Sequence, residues 1–354
     1  MAPEFRVINT GLRSGRDNIA FDKALIDSRL ADDIPDTIRF LRFPPTALVG
    51  LHQDLRREIK LEYCRKKSIG IARRITGGGA IYFDEGQLGW ELVFKRAHLG
   101  IGDLNTAAKC ICEAAAAGLS RLGVDTKYRP RNDIEVNGQK ICGTGGFFDG
   151  DVLFYQGTLL IDMNPKDMLN TLNVPQAKLA KRNLDDVAQR VTTLRTQIGE
   201  NLPSLLTIQK HMLEGFAEYL RIDINEGAVS EIEELRAKEI HDTEIGRDEF
   251  VYSIDGLHDQ TGTQSASHHG SGGTITVFVR LEGPSSQRIR EVLITGDFFV
   301  TPPRVIFDLE ADLRGVEKKD LRAAVDRFFA KTMVDAITLA PEDIREVLVE
   351  AVSG

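Results

Sequence analysis

The chain has 354 residues, of which 42% are hydrophobic and 28% charged, and a formal net charge of −8. Such a length accommodates a large core and two domains, and the composition is that of a soluble globular protein. The acidic balance argues against a general nucleic-acid binder, no apolar run is long enough to span a membrane, and Met1-Ala2-Pro3-Glu4-Phe5-Arg6 has no signal-peptide pattern.

In chain order, Asp17 is placed to cap a helix carrying Ile19, Phe21, Leu25 and Leu30 on its apolar positions. Residues 38–43 alternate apolar and basic, as a half-exposed strand does, and 46–50 form a short buried strand. Arg73-Arg74-Ile75-Thr76-Gly77-Gly78-Gly79 then sets two arginines before three glycines, and Ala80-Ile81-Tyr82 reads as strand. A further strand covers 88–94, and an Ala-rich helix covers 105–122. Asn137-Gly138 is a hairpin turn between strands at 131–136 and 139–143. A second hairpin turns at Asp149-Gly150, and its return strand continues to 162. Residues 164–236 are mostly helical, with an amphipathic helix at 205–220 and a solvated one at 231–236.

A boundary near residue 245 separates a catalytic unit, 1–245, from a C-terminal unit, 246–354. In the latter, 261–273 reads as an exposed turn or loop, 274–279 and 288–299 as strands, and 304–314, 318–330 and 341–352 as helices. The expected fold class is α+β: a mixed, largely antiparallel sheet packed with helices, plus a small α+β C-terminal domain.

The triple glycine is the first candidate site. Glycine lets a ligand approach bare backbone, and the Arg74 guanidinium suits phosphate or carboxylate. The spacing is neither a dinucleotide fingerprint nor a nucleoside-triphosphate loop, and alone the stretch is a structural turn. Lys140 is the second candidate. It leads Ile141-Cys142-Gly143-Thr144-Gly145-Gly146, another glycine cluster. A cation there can neutralise a carboxylate and an α-phosphate as they approach each other. Asp133 is a candidate Mg²⁺ ligand and Asn132 a nucleotide contact, against a plain turn or cap. His268-His269 reads as a solvated pair rather than a metal site. Cys64, Cys110, Cys112 and Cys142 form no metal or disulfide framework, so a reducing cytoplasm is expected.

Three motifs occur in order: Arg73-Arg74-Ile75-Thr76-Gly77-Gly78-Gly79-Ala80; Arg131-Asn132-Asp133-Ile134 with Gly138-Gln139-Lys140-Ile141-Cys142-Gly143; and Gly157-Thr158-Leu159-Leu160. Together they resemble the lipoate–protein ligase family of the biotin and lipoate attachment superfamily. Arg190-Val191-Thr192 matches a following segment, and Ile294-Thr295-Gly296-Asp297-Phe298-Phe299 resembles a landmark of the accessory domain of two-domain ligases.

The resemblance implies a two-step reaction. Lipoate and MgATP give lipoyl-AMP and pyrophosphate, and a lysine of an acceptor protein then takes the lipoyl group. It implies that Arg74, Thr76, the backbone at Gly79, Ala80, Ile81 and Tyr82, and Lys140 meet the nucleotide or acyl-adenylate, with Asn132, Asp133, Gly143 and Thr144 close by. Gly77 and Gly78 would flank the acyl chain, and Gly157 and Thr158 would lie near the adenylate. The implied acceptors are a 2-oxoacid dehydrogenase lipoyl domain, a glycine cleavage H protein or a dedicated lipoate-binding protein. Lys178, Lys181 and Arg182 are a candidate encounter patch.

Two positions depart from the family pattern. Phe83 stands where histidine is common, and Cys142 where a small hydroxyl residue is usual. Cys142 reads first as a small strand residue. As a nucleophile it would instead make the protein an octanoyl- or lipoyltransferase that works from a carrier protein without ATP.

Overall fold

In a computed structural model the described strands of three or more residues are, in chain order, β1 (Glu4–Leu12), β2 (Asp36–Arg42), β3 (Thr46–Val49), β4 (Gly70–Arg73), β5 (Ile81–Phe83), β6 (Gln87–Lys95), β7 (Lys127–Arg129), β8 (Asp133–Val136), β9 (Gln139–Asp149), β10 (Val152–Leu160), β11 (Asp223–Glu226), β12 (Thr263–Gly270), β13 (Gly273–Glu282) and β14 (Arg288–Gly296). The structure describes residues 2–173, 190–254, 256, 259–270, 273–285, 287–336 and 340–353. The candidate encounter patch lies outside them.

Eight of the described strands form one sheet in the order β11-β1-β2-β6-β10-β9-β8-β7. β1 runs parallel to β11 and β2, and the remaining pairs are antiparallel. This is the mixed, largely antiparallel sheet expected of the α+β class. A small sheet, β4-β3-β5, stands beside it, and β12-β13-β14 form an antiparallel third.

Helices cover both faces of the large sheet. Leu104–Ser120, capped by Asp103, and Leu205–Leu220, capped by Ser204, lie on one face over Trp90 and Tyr155, with Phe216 of the second helix packed on Trp90. The two helices cross closely at glycine: a Cβ on Gly118 would come 2.5 Å from the His211 carbonyl oxygen. Gly15–Leu30 lies on the other face, burying Phe21 and Leu25 against Val93, Phe147 and Phe154. A separate apolar cluster joins β13 and β14 to the helices Val305–Asp312, Leu321–Lys331 and Pro341–Ser353.

Several local expectations change. Ser14, not Asp17, caps the first helix, because its side chain accepts from the Asp17 backbone N–H. The expected loop at 261–273 contains a strand, β12, which pairs along its backbone with β13 although Ala266 is its one buried residue. In the helix Glu231–Ile240, Ile232 and Leu235 are exposed as expected, but Glu233 is buried and paired with Arg6.

β2 is almost fully buried rather than half-exposed. Arg39 causes the difference: 0% exposed, it reaches Asp22 at 2.6 Å, Glu91 at 3.0 Å and the Asn18 side chain at 2.7 Å. Burial pushes the Asp22 and Glu91 carboxyls up, since one guanidinium faces two carboxyls.

Candidate functional site

β6, β10 and β9 supply the floor of a cavity of about 330 Å³. Their register places Thr158 between Gly89 and Gly143, and Gln156 between Glu91 and Gly145. Residues two apart on a strand share a face. Gly143 and Gly145 therefore leave β9 bare where Lys140 and Phe299 come to lie over it. The turn from β4 to β5 forms the roof, with Arg74, Gly77, Gly79, Ala80, Ile81 and Tyr82 on the lining. Ile19, Leu41, Phe43, Leu48, Phe83 and Met163 make part of the wall apolar, while Lys140, Asn132 and Thr158 bring polar groups.

Arg74 organises the roof. It is buried, and its guanidinium donates to the Gly77 and Gly79 carbonyls at 3.0 and 2.9 Å and to Thr76 Oγ1 at 3.2 Å. Thr76 Oγ1 also accepts from Gln156 Nε2 at 2.8 Å, which ties the roof to the floor. Burial lowers the Arg74 pKa to about 10, so it stays charged at neutral pH.

Lys140 follows the turn in which Asn137 and Gly138 both take positive φ, at 50° and 80°. Two positive φ values match the right-handed twist of the hairpin. The Lys140 backbone N–H donates to the Arg190 carbonyl and its carbonyl accepts from the Thr192 N–H, at 2.8 and 2.9 Å, so the Arg190-Val191-Thr192 segment buttresses this strand. Lys140 Nζ lies 2.7 Å from Asp133 Oδ1 and folds over Gly143, where a Cβ would stand 2.5 Å from it. Burial pushes the Asp133 carboxyl up, but Lys140 and Arg129 outweigh it and hold the group below its usual range. Asn132 is fixed by Thr144, whose N–H and hydroxyl both donate to the Asn132 carbonyl at 2.9 Å.

The expected site residues converge. Arg74, Gly77, Gly79, Ala80, Ile81, Tyr82, Asn132, Lys140, Gly143, Thr144, Gly157 and Thr158 line this one cavity. Thr76, Gly78 and Asp133 stand behind the lining: Thr76 under Arg74, Gly78 against Phe299, and Asp133 beside Lys140. Gly77 and Gly78 also have neighbours that the sequence did not disclose. A Cβ on Gly77 would collide with the Phe298 carbonyl, and the Gly78 N–H donates to it at 2.9 Å.

Further lining residues escaped the sequence reading. Gln156 and Glu91 come from strand positions with no local mark, and Phe299 arrives from far along the chain. Gly145 carried a usable signal, since it lies two residues after Gly143 on a strand. Phe83 is buried and packs on Phe43 with ring centroids 4.3 Å apart, so an apolar contact occupies the place common for histidine.

None of the four thiols lines the cavity. Cys142 is 0% exposed in the core on the other side of β9, and burial pushes its thiol up. Burial likewise raises Cys112 to about 11. His268 and His269 lie exposed on β12, and the described residues contain no cluster of three metal-ligating side chains. No described helix is long and apolar enough to cross a membrane.

Comparison with known proteins places this chain in a family. The sequence model of the lipoyl protein ligase A/B catalytic domain matches residues 14–217. The chain is 25% identical over 260 residues to octanoyltransferase LipM of Moorella thermoacetica, covering 68% of this chain and 94% of that protein. A bipartite lipoate protein ligase of Thermoplasma acidophilum, described with its E2 lipoyl domain, superposes with a TM-score of 0.61 at 25% identity, covering 71% of this chain and 96% of that one. LipL1 of P. falciparum, described in complex with lipoate, shares the fold over 99% of this chain and 100% of its own, with a TM-score of 0.74 at 18% identity. More than half of the chain falls within the catalytic-domain match, and the protein belongs to the lipoyl protein ligase A/B family, which embraces ligases and octanoyltransferases.

Proposed function

We propose that the protein is an ATP-dependent lipoate–protein ligase. The observation that carries this reading over the transferase is the placement of the thiols: Lys140 and Arg74 line the cavity, and no cysteine does. A thioester route needs a thiolate that the acyl carbon can reach, and a buried thiol with a raised pKa supplies none. The likeness to LipM favours the transferase as the second reading.

The cavity suits an acyl chain with an anionic head. Its apolar wall would bury methylenes, each contributing about 0.8 kcal/mol. At the other end the Lys140 ammonium would neutralise charge as a lipoate carboxylate oxygen attacks the α-phosphorus of ATP and pyrophosphate leaves. Room for the nucleotide is open at Gly79, where an added Cβ would meet only the Asp297 side chain, at 3.7 Å. In the second half-reaction the acceptor lysine amine attacks the acyl carbon and AMP departs. The oriented backbone of the Arg74-stapled loop would hold the adenylate for that attack.

Asp133 is one carboxylate between two cations, so alone it does not make a metal site. It fits Mg²⁺ only as a companion to the phosphate oxygens that arrive with ATP. The acceptor we assign is a lipoyl domain bearing the target lysine, the class described with the Thermoplasma ligase. The same two steps, in the cytoplasm, would serve a glycine cleavage H protein or a dedicated lipoate-binding protein.

Lipoate-dependent exchange of labelled pyrophosphate into ATP tests the first half-reaction, and transfer to a panel of purified acceptors tests the second. Exchange with lipoate and ATP-dependent transfer are expected. Transfer from octanoyl carrier protein without ATP would establish the transferase instead.

A further inference from the structure

We propose that Phe299, which reaches the cavity from the C-terminal segment, seals the acyl-adenylate against water. This rests on the ligase reading above. The ring lies between two glycines distant in sequence. A Cβ on Gly78 would come 2.5 Å from it, and one on Gly145 would also collide with it. Phe299 lines the same cavity as Lys140.

Its placement is anchored on both sides. The Gly296 N–H donates to the His52 carbonyl at 2.9 Å, the Phe298 carbonyl accepts from Gly78 at 2.9 Å, and Thr301 Oγ1 accepts from the Phe148 N–H at 3.2 Å. The Phe298 ring stacks on the buried His52, with centroids 5.2 Å apart. Bonds before, at and after Phe298-Phe299 leave the Phe299 ring little freedom to swing out while the segment is docked.

The position matters because of what stands next to it. Lys140 Nζ covers Gly143 and the Phe299 ring covers Gly145, two residues apart on β9 and on one face. Two strand residues span roughly 6.6 Å. An apolar ring is therefore the immediate neighbour of the ammonium that would hold the mixed anhydride. Water attacking the acyl carbon breaks the acyl C–O bond, returning lipoate and AMP, so ATP is consumed without product. Excluding that water is a physical task for an apolar wall at this point. The glycines at 78 and 145 are then required by the ring as much as by any ligand.

The test is the ratio of pyrophosphate released to lipoyl groups transferred, using lipoate, MgATP and a lipoyl domain. The wild type is expected near one. Phe299→Ala should raise the ratio at least threefold, and Phe299→Leu should restore most of the coupling. Gly145→Ala, which pushes the ring from the opposite side, should uncouple as Phe299→Ala does. A merely structural loss would lower both quantities together and leave the ratio at the wild-type value, which would overturn the proposal. Should Phe299→Ala not fold, the Leu and Gly145→Ala variants decide by the same ratio. A wild type that releases no pyrophosphate with lipoate would overturn the ligase reading itself, and the seal with it.

Discussion

The Lys140 ammonium stands 2.7 Å from an Asp133 carboxylate oxygen, directly above Gly143. Three features make that geometry: the tight turn at Asn137-Gly138, the backbone bridge from Lys140 to Arg190 and Thr192, and the missing side chain at Gly143. Lys140→Ala is expected to reduce lipoate-dependent pyrophosphate exchange by about 10²-fold or more. Its melting temperature should stay within a few degrees of wild type, about the shift for a change under 1 kcal/mol, because Asp133 keeps Arg129 as a partner. Wild-type exchange in this variant would remove Lys140 from the mechanism.

Arg74 holds its loop through carbonyl oxygens rather than through a carboxylate. Arg74→Met keeps the bulk and removes every donor, leaving the Gly77 and Gly79 carbonyls without their partner. We expect a loss of about 2–4 kcal/mol in chemical denaturation, from several hydrogen bonds to a charged group. Arg74→Lys retains charge but not the planar fork, so it should recover only part of the stability. A fully stable Arg74→Met would show that the loop holds its shape unaided.

The buried Arg39 cluster gives a test with a sign in pH. Arg39→Met leaves Asp22 and Glu91 facing each other without a counter-charge, and we expect destabilisation of about 3–5 kcal/mol at neutral pH. Both carboxyls are raised by burial in the folded protein. They bind protons more readily folded than unfolded, so the deficit should shrink as pH falls towards 5. Denaturation midpoints at pH 5 and pH 8 check this, and an unchanged gap between variant and wild type would contradict it.

Glu310 offers a second pH test, away from the cavity. Burial raises it from 4.5 to about 7, although it accepts a hydrogen bond from the Ile294 N–H at 2.6 Å. A raised folded-state pKa means stability that is fully present below 4.5, falls as pH rises, and levels off above about 7. Glu310→Gln keeps the acceptor and removes the charge. It should therefore gain on the wild type between pH 5 and pH 8, by on the order of 3 kcal/mol. A pH-independent difference would show that the carboxyl is solvated.

Cys142 separates the two enzyme readings. Cys142→Ala should retain ATP-dependent lipoyl transfer within about twofold, because the thiol faces the core and no chemistry is routed through it. The lost sulfur should cost about 1–2 kcal/mol of stability through packing. Loss of transfer in a folded variant, or a trapped thioester at this residue, would favour the acyltransferase.

Much of this protein is local, and the sequence determined it unaided. The Asn137-Gly138 turn, the Ala-rich helix, the hairpins and the motifs around Arg74, Lys140 and Gly157 depend on dihedral preference and side-chain period, which neighbouring residues set between them. Residue burial was less legible where a charge had a distant partner. Arg39 looks like a surface residue until Asp22 and Glu91 arrive from other elements. Residues 261–273 look like loop because their pattern is almost wholly polar, yet backbone pairing with β13 needs no apolar side chains.

Only the tertiary structure decided what surrounds the glycines. Alone, Gly77, Gly78 and Gly79 are a flexible turn, since a missing side chain does not say what fills its place. In the folded chain Phe298 and Phe299 press against Gly77, Gly78 and Gly145, while Gly79 remains open. Those contacts join residues more than a hundred and fifty positions apart, and no local preference encodes them.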